Sequence, residues 1–505
     1  MTITKVTEID AAVVADLEAI MGNEPGAVLT DISSRANRTR VPAPFPVHRW
    51  SDHIPAAVVL PRTAQQVSEI VKLANRTKIP VVPRAGGTGL NDGAVPNRGG
   101  IIIDVKRMNQ IHEIDLANRT VTVGPGISMM KLNEELRPYG VFHPDTPASY
   151  PCSLVGGRIA CSGFSLLGTR FGHSRDLCMS MEIVLPTGEI IQVGDGGGKK
   201  IRKSSTGFHL KHLFMGHQGT LGIVTEATLE IVPKPEAEFA AFFVFDDYEL
   251  AHKTLYGMVT SGVATLAGNV LFDEKKVEYL RRDDEAFIPM PEWVNSVLAT
   301  ALYGTRAEVE AASKIVMEKG RAYGGRYTGD EMALGDWASR HDRYANPLHG
   351  RTPDGKVAPM SWHCEDAALN WSVLPQVRKE WHEIADRYIK EYGIFDDWGT
   401  YCYTSASYKP WGDYLAEIDI GIWEEKLDDA LWDVWIQFKT EIAKVSLKYG
   451  GSMSNCHGTT RIGDAELVPE EMGGGWDVMK MLKRNLDPNN IMNPGKQMLD
   501  ESYED

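Results

Sequence analysis

The stretch Pro83-Arg84-Ala85-Gly86-Gly87-Thr88-Gly89-Leu90-Asn91-Asp92-Gly93 decides how this chain is read. An apolar, β-branched run, Ile79-Pro80-Val81-Val82, precedes it, and Gly100-Ile101-Ile102-Ile103-Asp104-Val105 follows. Both runs read as strands. Four glycines between positions 86 and 93 let the backbone take φ > 0 and approach a ligand that any Cβ would block. Successive N–H groups in such a turn form a concave anion site suited to a pyrophosphate. The turn runs strand to strand, so it is neither a G-x-G-x-x-G turn opening a helix nor a phosphate loop ending in G-K-[ST]. A plain Gly-rich turn is the competing reading, and other stretches must separate the two.

A chain of 505 residues is too long for one core and predicts two or three domains. Apolar content of 43% and charged content of 24% are ordinary for a globular protein. A formal charge of −15 argues against nucleic acid and anionic membrane as partners, because both require basic patches. The first residues lack the pattern of a signal peptide, and no apolar run reaches the length of a membrane span. Six scattered cysteines (Cys152, Cys161, Cys178, Cys364, Cys402, Cys456) form no C-x-x-C pair and read as reduced thiols. The expectation is a cytoplasmic enzyme.

Residues 1–50 form an arm with one helix, Ile9 to Met21. From Ala56 the pattern is strand, helix (Ala64 to Arg76), strand, glycine turn, strand. A second unit has the strand Thr120-Val121-Thr122-Val123, the turn Gly124-Pro125-Gly126, and a helix from the N-cap Ser128 to Tyr139, stopped by Gly140. Small and turn residues crowd positions 141–176, which predicts close backbone packing on an extended ligand. Met181 to Val193 reads as a hairpin, and Gly216-His217-Gln218-Gly219-Thr220-Leu221-Gly222 is a third glycine turn feeding a strand. Pro233-Lys234-Pro235 is the clearest boundary. Eleven of the 12 tryptophans lie beyond it, which suits either a substrate pocket with apolar walls or core packing.

These pieces, with Lys106-Arg107-Met108-Asn109, Pro144-Asp145, Val155-Gly156-Gly157, His457-Gly458 and Leu486-Asp487-Pro488-Asn489-Asn490-Ile491-Met492-Asn493-Pro494-Gly495-Lys496, resemble the vanillyl-alcohol oxidase / p-cresol methylhydroxylase superfamily of FAD enzymes. Within it the chain is most similar to the branch of D-lactate and D-2-hydroxyacid dehydrogenases, the glycolate oxidase flavoprotein subunit and alkylglycerone-phosphate synthase. The resemblance runs from about residue 55 to 498. It implies an α+β fold: a PCMH-type FAD-binding domain of two subdomains at about 51–235, and a cap domain at 236–470 with an antiparallel sheet flanked by helices. The segment 471–505 would return to the FAD domain. The resemblance further implies that Pro83, Arg84, Ala85, Gly86, Gly87, Thr88, Gly89 and Leu90 hold the pyrophosphate. Pro144, Asp145, Val155, Gly156, Gly157, Ser162, Gly163, Gly222 and Ile223 would line the rest of the cofactor, and Asn493 and Lys496 would approach the flavin.

Flavin oxidation of a CH–OH carbon needs a base for the hydroxyl proton, a role suited to a neutral histidine. His457 matches the histidine of the family's E-H-G motif. Trp337-Ala338-Ser339-Arg340 resembles the family's W-x-x-R, which makes Arg340 the anion clamp, with Arg343 second. The metal-dependent members carry H-x-G-D-G-N-x-H on a cap strand. Here that strand reads Gly399-Thr400-Tyr401-Cys402-Tyr403-Thr404-Ser405-Ala406-Ser407, and Cys456 replaces the glutamate. Cys456 and His457 alone do not make a zinc site, so no catalytic metal is expected. Tyr401 and Tyr403, with nearby Tyr408 and Trp411, lean toward an aryl or bulky alcohol, with packing of the cap sheet as the alternative.

The expectation is therefore an FAD-dependent oxidase or dehydrogenase acting on a CH–OH group of an aryl or bulky alcohol or a 2-hydroxy acid. Its FAD would be non-covalent, with His363 leaving a single covalent link open. A D-2-hydroxyacid (D-lactate or glycolate) dehydrogenase like the metal-dependent members is the first alternative. A non-redox transferase like alkylglycerone-phosphate synthase is the second, and an electron-transferring subunit of a larger complex the third. The acceptor (O2, quinone, cytochrome or electron-transfer flavoprotein) stays open, and a homodimer is expected by analogy with the family.

Overall fold

A computed structural model describes residues 9–39, 41, 47–282, 290–341, 349–351, 357–392, 401–407, 414–423, 426–459 and 465–500. Three sheets carry the architecture. The first has four strands in the order Val28–Leu29, Ala57–Val59, Ile101–Asp104, Val81–Arg84. Its last two pairings are parallel. The connection between Ala57–Val59 and Val81–Arg84 is the helix Ala64–Thr77, begun by Thr63, whose side chain accepts the Gln66 N–H. Its Val67, Ile70, Val71 and Ala74 are fully buried against Val59, Val81, Ile101 and Ile103. These apolar runs read as strands because both faces of the sheet are covered. The glycine turn lies at the carboxyl end of Val81–Arg84.

The second sheet is antiparallel throughout, in the order Ile111–Asp115, Thr120–Val123, Ile223–Glu230, Cys178–Val184, Ile190–Gly194. The helices Met129–Leu136 and Val155–Cys161 cover one face and share its core. Ser128 caps the first of them by accepting the Lys131 N–H, and Gly140 ends the following turn at φ +66°. Both expectations for that segment hold.

The third sheet has eight strands, ordered Arg326–Tyr327, Ala237–Phe245, Ser296–Gly304, Leu266–Phe272, Tyr401–Ser407, Tyr414–Trp423, Val357–Leu369, His349–Arg351. Every pairing in it is antiparallel. The helices Tyr248–Val259, Arg306–Ala322, Leu374–Tyr392 and Asp429–Lys448 contribute buried residues to its core. Three tryptophans of this half serve that core: Trp381 and Trp435 are fully buried, and Trp432 nearly so. Packing, not a substrate wall, accounts for these three. The α+β class with PCMH-type architecture is the observed fold.

The chain's end returns to the first sheet. After the helix Gly474–Leu486, Val81 N–H donates to Ile491 C=O and Asn493 N–H donates to Val81 C=O. The strand that launches the glycine turn is thereby held by residues more than four hundred positions later.

Candidate active site

The backbone N–H groups of Ala85, Gly86, Gly87, Thr88 and Gly89 make no hydrogen bond to any described residue. Five consecutive donors with no protein acceptor are costly unless water or a ligand meets them. Gly87 sits at φ +63°, and a Cβ on Gly86 would come within 2.6 Å of the Cys152 carbonyl oxygen. Arg84 is 9% exposed beside this turn, and burial pulls its guanidinium down to about 10.

The other glycine-bearing segments converge on the same place. A Cβ on Gly157 would touch Ala85, one on Gly216 would touch Ser162, and one on Gly219 would lie 3.1 Å from Pro83 and 3.4 Å from Asn493. Thr146 Oγ1, Ser153 Oγ, His217 Nε2, Gln218 Oε1 and Asn493 Oδ1 are buried there without a partner among the described residues. Unpaired backbone donors at 85–89, with unmatched polar atoms on the neighbouring segments, suit a dinucleotide carrying a pyrophosphate.

Several residues expected to line the cofactor are instead occupied by the protein itself. Asp145 is held by Arg158 in a two-point bond of 2.6 and 3.1 Å and by Ser174 Oγ at 2.7 Å. The Lys496 ammonium is fully buried on Asp92 Oδ2 (3.0 Å) and on the carbonyls of Asp92 and Val95. Asn493 Nδ2 donates to the carbonyls of Gly93 and Gln218. Ile223 packs in the core of the first sheet, and Gly222, at φ +155°, would clash with Val184 if it carried a Cβ. Val155 and Gly156 pack onto Ile127 and Pro125. The side chains of Asp145, Lys496 and Ile223 are thus held by other parts of the protein. Pro144 lends its carbonyl to Ser165, and a Cβ on Gly163 would strike Arg158.

His457 stands in the loop after the helix Asp429–Lys448. Ser452 pins this loop to the strand Val357–Leu369, its N–H donating to Ala368 C=O and its Oγ accepting the Ala368 N–H. From that strand Asp366, 4% exposed, accepts the backbone N–H of Asn455 and of Cys456 (2.5 Å), and its Oδ1 lies 2.9 Å from His457 Nδ1. Burial pushes the Asp366 carboxyl up, but the His457 charge and hydrogen bond and the two N–H donors outweigh it and hold the group below the usual carboxylate range. With the proton of a neutral His457 drawn to Nδ1, Nε2 is left basic.

Two sulfurs flank the ring. Cys364 Sγ and Cys456 Sγ each lie 3.2 Å from Nδ1 and 3.6 Å from Nε2. A sulfur bonded in the ring plane at Nδ1 would be roughly 5 Å from the other nitrogen, so both contact the ring from the side. Burial, then Asp366, Glu417 and Cys364, push the Cys456 thiol well above its ordinary range, which keeps it protonated. Asp366, Cys456 and His457 place donor atoms within 4.8 Å of one another, one more donor than sequence reading found.

Arg340 lies on another wall. Its guanidinium stacks on Trp337 at 4.7 Å, donates to Trp337 C=O at 2.5 Å, and keeps a buried Nε with no partner among the described residues. Trp337 Nε1 donates to Tyr303 OH, and His341 stacks on Tyr150 while contacting Pro147 C=O. The clamp candidate therefore borders the 144–150 segment. Among the described residues no hydrogen bond joins it to His457. Tyr401 and Tyr403 belong to a cap strand opposite Ile420 and Ile418. Their side chains, and Arg343, Tyr408 and Trp411, lie outside the described residues, as does the side chain of His363.

Residues 55–194 match the family model of an FAD binding domain, and residues 234–497 match that of the C-terminal domain of FAD linked oxidases. The chain belongs to the FAD-linked oxidases. It is 30% identical to the glycolate oxidase subunit GlcD of Bacillus subtilis over 88% of this chain and 89% of that one. It is 28% identical to a probable mitochondrial D-lactate dehydrogenase of Danio rerio, over 96% of this chain and 91% of the relative. Among solved structures it is similar in fold to p-cresol methylhydroxylase with substrate bound, at a TM-score of 0.75 and 22% identity, covering 96% of each chain. FAD is the cofactor of this FAD-linked oxidase, an oxidoreductase. No helix of the described residues is long and apolar enough to cross a membrane.

Sequence reading missed Asp366, Cys364 and Glu417. The only signal was the pair Glu365-Asp366 in an otherwise apolar strand end, Ala367-Ala368-Leu369. Two adjacent acids followed by such a run are out of place unless buried partners await them.

Proposed function

We propose that this FAD-linked oxidase removes hydrogen from the CH–OH carbon of a 2-hydroxy acid or a bulky alcohol, with His457 as the base and Asp366 as its orienting carboxylate. The Asp366–His457 contact of 2.9 Å carries the reading. Bound FAD supplies the hydride acceptor. The chain's own part is to take the hydroxyl proton at His457 Nε2 and to stabilise the resulting imidazolium against the buried Asp366 anion. Arg340, stacked on Trp337 with an unmatched Nε, is apt for a substrate carboxylate. The names of the relatives, a glycolate oxidase subunit and a D-lactate dehydrogenase, favour the hydroxy acid over the aryl alcohol that Tyr401 and Tyr403 suggested.

In this reading the proton transfer needs no metal, because an Asp-bound imidazole is already a sufficient base. The test is anaerobic reduction of the bound flavin by glycolate, D-lactate, bulkier D-2-hydroxy acids and benzylic alcohols, each with and without a chelator. Bleaching by a hydroxy acid that chelation leaves unchanged supports the proposal; bleaching abolished by chelation and restored by a divalent ion defeats its metal-free part.

A further inference from the structure

Lys439, midway along the helix Asp429–Lys448, is fully buried with Nζ 2.8 Å from Glu365 Oε1. Glu365 is the strand neighbour of Asp366, so consecutive residues face different tasks: Asp366 holds the His457 loop and Glu365 holds Lys439. Nζ also donates to Asn91 Oδ1 at 3.4 Å, and Asn91 Nδ2 donates to Gly458 C=O at 2.5 Å. Asn91 lies two residues beyond Gly89 of the glycine turn, and Gly458 directly follows His457. Gly458 is at φ +71° and leaves no room for a Cβ against the Gln218 amide. A buried ion pair is seldom worth more to stability than apolar side chains of the same size. This one bridges the cap, the cofactor turn and the catalytic loop.

We infer that Lys439 is a positioning residue that couples the flavin-phosphate turn to the His457 loop through Asn91. The Lys439 charge orients the Asn91 amide, leaving its N–H to fix Gly458 C=O. A dinucleotide held by residues 85–89 fixes Asn91 and thereby His457. Because the turn and the loop share these bonds, loosening Lys439 or Asn91 weakens FAD and, by freeing the His457 loop, slows its reduction. The inference rests on the reading of His457 as the base, but FAD affinity reads it independently of any substrate.

The test compares K439M, N91A, the charge-neutral pair E365Q/K439M and the combination N91A/K439M. K448M on the same helix, where Lys448 pairs with Glu380 at the surface, is the control. FAD dissociation constants are measured on apo-protein by quenching of flavin fluorescence, and flavin reduction is followed at saturating substrate. Loss of one hydrogen bond to a charged partner predicts about tenfold weaker FAD and about tenfold slower reduction, with KM unchanged. N91A/K439M should be no worse than either single change, because both act through one chain of bonds. FAD affinity within twofold of K448M in folded N91A or E365Q/K439M overturns the inference, as do additive losses in N91A/K439M. If K439M fails to fold, N91A and E365Q/K439M decide. Wild-type protein that binds FAD but is reduced by no CH–OH donor defeats the proposed function instead, and leaves the affinity test standing.

Discussion

Replacing Asp366 by Asn tests the chemistry of the site with almost no change in shape. Oδ1 lies 2.9 Å from His457 Nδ1, while Oδ2 accepts the N–H of Asn455 and Cys456 and lies 3.3 Å from Ser454 Oγ. An amide can serve one side only. With its NH2 toward His457 it donates to Nδ1, which moves the ring proton to Nε2 and removes the base. With its NH2 toward the loop it opposes two backbone donors and leaves them unpaired, at about 1–3 kcal/mol for each buried group. Loss of the correct tautomer predicts a fall of roughly 10²–10⁴ in flavin reduction, with FAD still bound. The rate is measured anaerobically by stopped flow at saturating substrate, beside H457A. D366N reduced within threefold of wild type, with an unchanged pH profile, would refute the dyad.

R340M should raise KM for carboxylate-bearing substrates about 10–100-fold and move kcat less; an equal effect on a neutral alcohol substrate removes Arg340 as the clamp. G87A places a Cβ at φ +63° against the Arg84 guanidinium, and should weaken FAD by tenfold or more by fluorescence titration, leaving secondary structure by circular dichroism unchanged. His173 and His217 are buried and held neutral, both pulled down to about 4 by burial. Unfolded, each takes a proton near 6.5, so stability is complete above that pH and falls as pH drops toward 4, by up to about 1.4 kcal/mol per unit per histidine. Denaturant midpoints that stay flat from pH 7 to 4.5 would contradict their burial. C456S keeps a small neutral group beside the ring and should hold most of the rate, whereas a catalytic thiolate would lose it.

The fold was legible wherever the signal was local. The alternation from Ala56 to Val105, the cap at Ser128 and the stop at Gly140 report short-range backbone physics, and the structure has them. The meeting of the glycine turns was legible only through family resemblance, since no periodicity brings Gly219 to Pro83. His457 is proposed from its motif, but its partner carries no such signal. Asp366 is 91 positions away, and strand register with helix packing decides that it faces the loop. Asp145 and Lys496 show the converse. Each stands in a cofactor motif, and each is neutralised by a neighbour, Arg158 or Asp92, that a motif does not specify. The tryptophans left two readings open for a simple reason: a large cap core uses the same residues as a ligand wall.

The central claim is tested most directly by the visible spectrum of the purified holoenzyme under anaerobic titration with 2-hydroxy acids, beside D366N and H457A. The flavin band at ~450 nm should bleach with a hydroxy acid in wild type, chelation should leave this unchanged, and both variants should keep the band but lose the bleaching. A flavin that no CH–OH donor reduces, or one that D366N and H457A reduce as fast as wild type, would contradict it.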